Sequence, residues 1–418
     1  MFAPLKLLFE TVVRKGEVLV TDASGKQYRF GDGSLPSVAI SIADRTTERT
    51  LAFDPAMALG EAYMCGRLKV QAGSIYDLLA IALEGYRKAR PPIILRALDR
   101  TRYIARRLSQ LNTLSRSRRN VVHHYDIDDE IYRLFLDADL QYSCAYFPAP
   151  TASLEAAQRA KKRHIAAKLA LQPGHQVLDI GSGWGGLALY LAGMSGASVT
   201  GITLSDNQLA VSRERAEQTG LSHLTHFELR DYRTIHRRFD RIVSVGMLEH
   251  VGIGHYDSYF EQVSKLLDDS GVALIHTIGR VDGPGTTNPF IARYIFPGGY
   301  FPALSEVLPA IERSGLIVTD VETLRLHYAE TLKAWRQRFV ERKDEVIALK
   351  SAEFYRMWEF YLAGSEAAFR FDNLVVFQLQ LAKRLDSLPT TRDYMLDRER
   401  QLADEERRMT TPGRLAGE

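Results

Sequence analysis

Two cysteines in 418 residues, Cys65 and Cys144, exclude a disulfide framework and are too sparse for a structural zinc site, so a reducing, cytoplasmic compartment is expected. The histidines at 123, 124, 250 and 255 lack H-E-x-x-H or cysteine-pair spacing, so no metal is expected. Long apolar runs are missing too. The strongest, Leu78–Leu83, falls short of the roughly 18 to 20 residues that span a bilayer and reads as a helix face. Glu10 interrupts the N-terminal stretch MFAPLKLLFETVV, which reads as an amphipathic first helix rather than a secretion signal. There is little excess of either charge: 54 Lys+Arg against 51 Asp+Glu leave a net charge of +3, which names no polyanionic partner. Internal repeats are absent.

What is present is ordinary globular composition, 45% apolar and 25% charged, enough at roughly 150 residues per domain for two or three domains. Residues 1–90 alternate short β-type runs (17–21, 27–30 and 37–42) with turn signals at Asp22–Gly25 and Gly31–Gly33, followed by helical sequence over 54–83 with a polar break at 71–74. A small α+β domain is expected there. Between 87 and 119 the balance changes: Arg87, Lys88, Arg90, Arg96, Arg100, Arg102, Arg106, Arg107, Arg116, Arg118 and Arg119 face only Asp99. Interspersed apolar residues allow a basic amphipathic helix over part of 91–120, while 112–120 reads as a solvated linker. The charge fits a solvated linker or an anionic membrane surface, where each basic residue contributes about 1 kcal/mol. Without a nucleic-acid motif, no nucleic-acid partner is expected.

From residue 121 the pattern becomes doubly wound α/β. Strands are predicted at 176–180, 198–204, 225–229, 241–245 and 272–277, further strand character at 318–326, helix throughout 329–385, and a polar, mobile tail over 391–418. Ligands in such sheets gather at the strands' carboxyl ends. There, Val177-Leu-Asp-Ile-Gly-Ser-Gly-Trp-Gly-Gly186 runs from a buried strand through a glycine turn into a helix. Gly181, Gly183 and Gly186 also satisfy G-x-G-x-x-G, so a dinucleotide is one reading. Against it, Asp179 would repel a pyrophosphate, and the second strand lacks a ribose-binding acid at its tip, Asp206 being the one late candidate. S-adenosylmethionine, carrying ammonium and sulfonium charges, suits Asp179 better. A purely structural turn is disfavoured, because glycines weaken a fold unless something must come close.

Together with His124-Tyr-Asp126, Tyr142-Ser-Cys-Ala-Tyr146, Gly201-Ile-Thr-Leu-Ser-Asp-Asn-Gln208, Val245-Gly-Met-Leu-Glu-His-Val251 and Ile295-Phe-Pro-Gly-Gly299, this loop closely resembles the cyclopropane-fatty-acyl-phospholipid synthase family, relatives of the mycolic acid cyclopropane synthases. The resemblance covers roughly residues 120–385. It implies a Rossmann-like class I methyltransferase sheet with helical insertions over 121–390, preceded by a lipid-binding-like N-terminal domain for membrane docking or dimerisation. The implied reaction is methylene transfer from S-adenosylmethionine to a cis double bond of a phospholipid acyl chain, by a peripheral, homodimeric enzyme at the inner membrane face.

By the same resemblance Tyr142, Ser143, Asp179, Gly181, Gly183 and Gly185 hold the methionine end of the donor, Thr203 and Gln208 lie near the ribose, and Asp231 and Tyr232 near the adenine. A bound bicarbonate removes the proton that lets the ring close, held by Cys144, Glu249, His276, Ile278 through its backbone, and Tyr328. These types suit an anion: thiol, imidazole and phenol donate, and a carboxylate accepts the bicarbonate O–H. Cys144 is expected to be a neutral thiol, since a thiolate would attack the sulfonium. Each has a plainer reading as well: Cys144 as a small buried hydrophobe, His276 as a core histidine, Tyr328 as packing. The aromatics Tyr146, Phe147, Phe296, Tyr300, Phe301, Phe354, Tyr355, Trp358 and Tyr361 are expected to be mostly core, with a few lining an acyl tunnel. Ser365 stands where some relatives have cysteine. Alternatives are a methyltransferase that leaves a methyl-branched or methylene fatty acid, a small-amine N-methyltransferase, and a non-catalytic lipid-binding protein.

Overall fold

The computed structural model describes residues 1–89, 93–110 and 129–410. The expected linker at 112–120 and the His124-Tyr-Asp126 motif lie outside the described residues.

Seven strands form the central sheet: β5 (Gln176–Ile180), β6 (Ser198–Thr203), β7 (Thr225–Leu229), β8 (Phe239–Val245), β9 (Leu267–Arg280), β10 (Ile317–Leu324) and β11 (Leu374–Ala382). Their order is β10-β11-β9-β8-β5-β6-β7. Pairing is parallel from β7 across to β9, and β11 runs antiparallel to both of its neighbours. This is the class I methyltransferase arrangement, in which the strand order reverses between β5 and β8 and leaves a crevice at their carboxyl ends.

The sequence pattern missed β11, which falls inside a stretch expected to be helical. The long helix before it, Ala352–Phe371, stops at Asp372, and Asn373 adopts a left-handed conformation (φ 59°) that asparagine tolerates. All nine strand residues are then buried. A strand covered on both faces shows no alternation, so periodicity alone cannot separate it from a buried helix. The predicted tail is also corrected. Asp393–Thr410 is a helix that packs on helix Leu154–Lys168, with Leu402 buried and Arg163 paired to Glu406 at 2.7 Å. Its strongly polar composition concealed a narrow apolar seam. The polar break expected at 71–74 is partly strand.

Residues 1–88 carry a four-stranded sheet, with β1 (Glu17–Thr21), β2 (Gln27–Gly31), β3 (Ser37–Ile42) and β4 (Leu68–Ala72) in the order β2-β1-β3-β4. Four helices accompany it: α1 (Ala3–Val12), α2 (Arg45–Phe53), α3 (Pro55–Met64) and α4 (Ile75–Lys88). Side-chain caps at Asp44, Asp54 and Ser74 fix the starts of the last three. Its core does not end at its own boundary. Phe290, Phe360, Ala363 and Ala367 from later in the chain belong to the same buried cluster. Tyr63 donates to Glu359 at 2.6 Å and Arg356 to the Met64 carbonyl at 2.7 Å. Helix α5 (Ile93–Ser109) follows, with Arg102 paired to Asp54 and Arg106 to Glu306. Part of the basic charge that the sequence offered to a membrane is therefore spent inside the fold. Among the described residues no helix is long and apolar enough to cross a membrane.

Phe290 is fully buried where the two parts meet, so Phe290→Ala is expected to cost about 3–5 kcal/mol by the cavity it leaves. Urea unfolding of the full chain measures this. A cost below about 1 kcal/mol would show that the joint is loosely packed.

Candidate active site

Two neighbouring cavities open at the carboxyl end of the sheet. The larger, about 180 Å³, is a cleft lined by Gly181, Gly183, Thr203, Gln208, Asp231 and Tyr232, all predicted cofactor residues, and by Met247, His250 and His255. Gly181 and Gly183 have positive φ (83° and 54°), the left-handed turn that carries the backbone from β5 into the next helix without side chains obstructing the cleft. Thr203 donates to Gln208 at 2.8 Å. Asp231 binds its neighbour Arg233 through both carboxylate oxygens, at 2.7–2.8 Å.

Gly185 and Asp179 do not line this cleft. Gly185 caps the following helix at φ 81°, where a Cβ would strike Phe227 and Ser212. Asp179 is buried behind the turn, and one carboxylate oxygen has no hydrogen-bond partner in the described structure. Burial raises its carboxyl to about 7. A buried acid short of a partner is suited to a cationic ligand, and the residues present fit the ammonium end of S-adenosylmethionine.

The smaller cavity, about 50 Å³, brings together Cys144, Glu249, His276, Ile278 and Tyr328, the full predicted anion set, with Tyr142, Ser143, Phe296 and Phe301. Gly246 and His250 line both cavities. Glu249 sits on the short turn Leu248–His250 that follows β8. Its Oε1 accepts the Ile278 N–H at 2.7 Å, and its Oε2 has no partner in the described structure. Ile278 therefore orients Glu249. Burial lifts this carboxyl to about 7, so both of its protonation states are accessible near neutral pH. His276 on β9 faces Gln378 on β11 across the sheet, with Gln378 Nε2 3.1 Å from His276 Nδ1. Loss of solvent pushes the imidazole down to about 3, so it is neutral, and a hydrogen on Nε2 leaves Nδ1 to accept from Gln378. Burial pushes the Cys144 thiol far up, in keeping with the neutral thiol expected.

The loop carrying Cys144 is pinned from both sides. Ala145 N–H donates to Thr331 Oγ1 at 3.0 Å, Tyr146 N–H to the Ala157 carbonyl at 3.1 Å, and Phe147 N–H to His327 Nδ1 at 2.9 Å. Gln158 Nε2 reaches the carbonyls of Gln141 and Ser143 at 3.1 and 3.0 Å. Around it lies a cage of Tyr132, Phe135, Trp184, Trp335, Trp358 and Tyr361, and Tyr142 and Tyr361 share a hydroxyl hydrogen bond of 2.8 Å. Of the nine aromatics expected to divide between core and tunnel, Phe296 and Phe301 reach the cavity wall, whereas Trp358 and Tyr300 are core. Ser365 lines neither cavity.

Sequence reasoning missed Lys161. It is fully buried, and its Nζ donates to Gln141 Oε1 at 2.6 Å and Ser143 Oγ at 2.8 Å. Burial lowers it to about 8. In Arg159-Ala-Lys-Lys-Arg163 nothing marks one lysine of a charged helix as the buried one; the inward face is set by packing.

A family model described as mycolic acid cyclopropane synthetase matches residues 112–379. The chain belongs to this family. A second model, described as a domain of unknown function, matches residues 5–89. The chain is 35% identical over 384 residues to a probable fatty acid methyltransferase of Pseudomonas putida, covering 88% of this chain and 93% of that protein. It is 38% identical over 289 residues to the cyclopropane-fatty-acyl-phospholipid synthase of Escherichia coli K12, covering 69% and 74%. Among solved structures, mycolic acid cyclopropane synthase CmaA1 complexed with SAH and CTAB matches with a TM-score of 0.61 and 34% identity, over 65% of this chain and 99% of that one. Like its family, the chain is an S-adenosylmethionine-dependent methyltransferase.

Two measurements test the cofactor side. Below about pH 7 Asp179 is protonated, and a cation must displace that proton. The dissociation constant for S-adenosylmethionine is therefore expected to rise about tenfold per pH unit below 7, with proton release on binding, read by calorimetry in two buffers. A flat profile from pH 5 to 8 would remove Asp179 from the binding site. Lys161→Met, which frees Ser143 and leaves the Gln141 amide oxygen short of a donor, is expected to weaken donor binding by about tenfold to a hundredfold.

Proposed function

We propose that the chain transfers a methylene group from S-adenosylmethionine to the cis double bond of an acyl chain in a phospholipid, closing a cyclopropane ring, with bicarbonate as the base. The observation that carries this reading is the meeting of Cys144, Glu249, His276, Ile278 and Tyr328 in one small buried cavity that shares Gly246 and His250 with the donor cleft.

Bound S-adenosylmethionine supplies an electrophilic methyl group on a sulfonium. An alkene is a weak nucleophile, so the protein contributes alignment at about 3–3.5 Å and the exclusion of water, which would trap a carbocation. Tyr142, Phe296, Phe301 and Tyr328 supply that dryness, and their π faces attract positive charge on carbon. Held beside them, bicarbonate would be the base that accepts the proton released as the ring closes. Neutral His276, the Cys144 thiol and the Tyr328 hydroxyl can donate to its oxygens, while Glu249 Oε2, without a protein partner in the described structure, can accept its O–H. Ile278 assists by fixing Glu249. A redox dinucleotide would have no use for this anion set, and a small-amine methyltransferase would have no need of an anionic base between aromatic rings.

On α5, Arg96, Arg100 and Ile104 are exposed, which supports contact with an anionic membrane face by a peripheral protein. The likeness, over 88% of this chain, to a protein named as a probable fatty acid methyltransferase favours one second reading, a methylated chain without a ring.

Incubation of the purified protein with S-adenosylmethionine, bicarbonate and cis-unsaturated phospholipid vesicles decides between them. The ring and the methylene isomer have one mass, but only the ring resists mild hydrogenation. Glu249→Gln is expected to lower turnover by about 10²-fold or more while donor binding stays within twofold. Equal loss of both would move Glu249 into the donor cleft.

A further inference from the structure

A third cavity, of about 540 Å³, lies away from the donor cleft and the anion chamber. Its walls come from the N-terminal module (Leu8, Val12, Leu79 and Leu83), from Leu98 on α5 and from Phe360 on helix Ala352–Phe371. Its volume is that of a small-molecule site, within the usual range of about 300–1,000 Å³. A largely apolar chamber gains nothing from water, and leaving it empty forfeits dispersion contacts on every wall. Its lining also includes the charged groups Asp54, Asp99, Arg102, Arg280 and Asp372.

Two connections tie this chamber to the reaction. Helix Ala352–Phe371 presents Phe360 to the chamber, while the next residue, Tyr361, hydrogen-bonds Tyr142 on the catalytic side at 2.8 Å. One helix, about 10–12 Å across, thus divides the two. Segment 285–301 also lines both, contributing Gly285 to Pro289 to the chamber and Phe296, Gly299 and Phe301 to the anion cavity. On the outside, α5 walls the chamber with Leu98 and Arg102 while Arg96, Arg100 and Ile104 face solvent. A chamber walled in part by a basic amphipathic helix suits a lipid with an anionic headgroup.

We propose that this chamber holds the second, non-reacting acyl chain of an anionic diacyl phospholipid while the unsaturated chain enters the catalytic cavity across helix Ala352–Phe371. The proposal rests on the reading that the substrate is a phospholipid. It assigns the N-terminal module a part in substrate selection: two chains diverging from one headgroup straddle the helix, and a lipid with a single chain leaves the chamber empty. Arg102 and Arg280, now paired with Asp54 and Asp282, are the cations nearest the chamber for the phosphate.

The direct test uses the full-length protein and a phosphatidylglycerol with a cis-monounsaturated chain at one position and a diazirine-bearing saturated chain at the other. After photolysis, adducts mapped by mass spectrometry are expected within residues 5–13, 78–86 or 95–103. Adducts confined to 296–301 and 328, or none above the level of a phosphatidylcholine control, would overturn the proposal. A second test fills the chamber with Ala82→Trp or Ala56→Trp, two wall positions on different helices. With folding and donor binding verified, either variant is expected to raise KM for diacyl phosphatidylglycerol about tenfold and leave turnover of the matching lyso lipid unchanged. Equal effects on both lipids, or on neither, would count against a second-chain site. If the unmodified protein forms no product from any lipid, the functional reading fails instead, and the adduct map still decides the chamber.

Discussion

Removal of water from a few charged groups is the constraint on which the site depends. Asp179, Glu249 and Lys161 are all buried, and none has an oppositely charged partner at hydrogen-bonding distance in the described structure. A buried ion without a matching ion is costly, and the protein meets that cost by moving ionisation toward neutrality: both carboxyls rise to about 7 and the amine falls to about 8. Groups held this way respond strongly to an incoming charge. The same desolvation that perturbs them is what the proposed transfer to an alkene requires, so dryness and electrostatic readiness have one cause.

Holding such groups in place requires a rigid surround, and the fold supplies it unevenly. The sheet fixes His276 through its cross-strand partner Gln378, and Glu249 through the Ile278 N–H. The Tyr142–Phe147 loop has no strand to support it and is held by side chains from two helices, Gln158 and Lys161 on one and His327 and Thr331 on the other. Behind them Tyr146 stacks between His164 and His327, with centroids 4.3 and 4.7 Å away, and His164 lies between Glu322 and Glu399. The C-terminal helix, which carries Glu399, thus reaches the catalytic loop through a continuous run of contacts.

The N-terminal module is bound into this arrangement by packing rather than by a tether. Its core continues through Phe290 and Phe360 into the catalytic part, and the helix that carries Phe360 also carries Tyr361 at the site. A change of packing on one side of that helix has a short path to the other.

Much of the sheet was legible in the amino-acid sequence, because strands β5 to β9 alternate with helices and the glycine turn after β5 has few other uses. The five residues that share the small cavity, Cys144, Glu249, His276, Ile278 and Tyr328, were named from the sequence only through the resemblance to a known family, because they are spread from 144 to 328 along the chain. The sequence could not reveal β11, since burial on both faces erases the alternation that marks a strand. Nor could it single out Lys161 among charged neighbours, commit the Ile278 N–H to Glu249, or show that Arg102 and Arg106 turn inward. Local sequence determines periodicity, turns and chemistry. Which face is buried, which donor meets which acceptor, and where a cavity remains are decided by packing between segments hundreds of residues apart, and only the folded chain sets them.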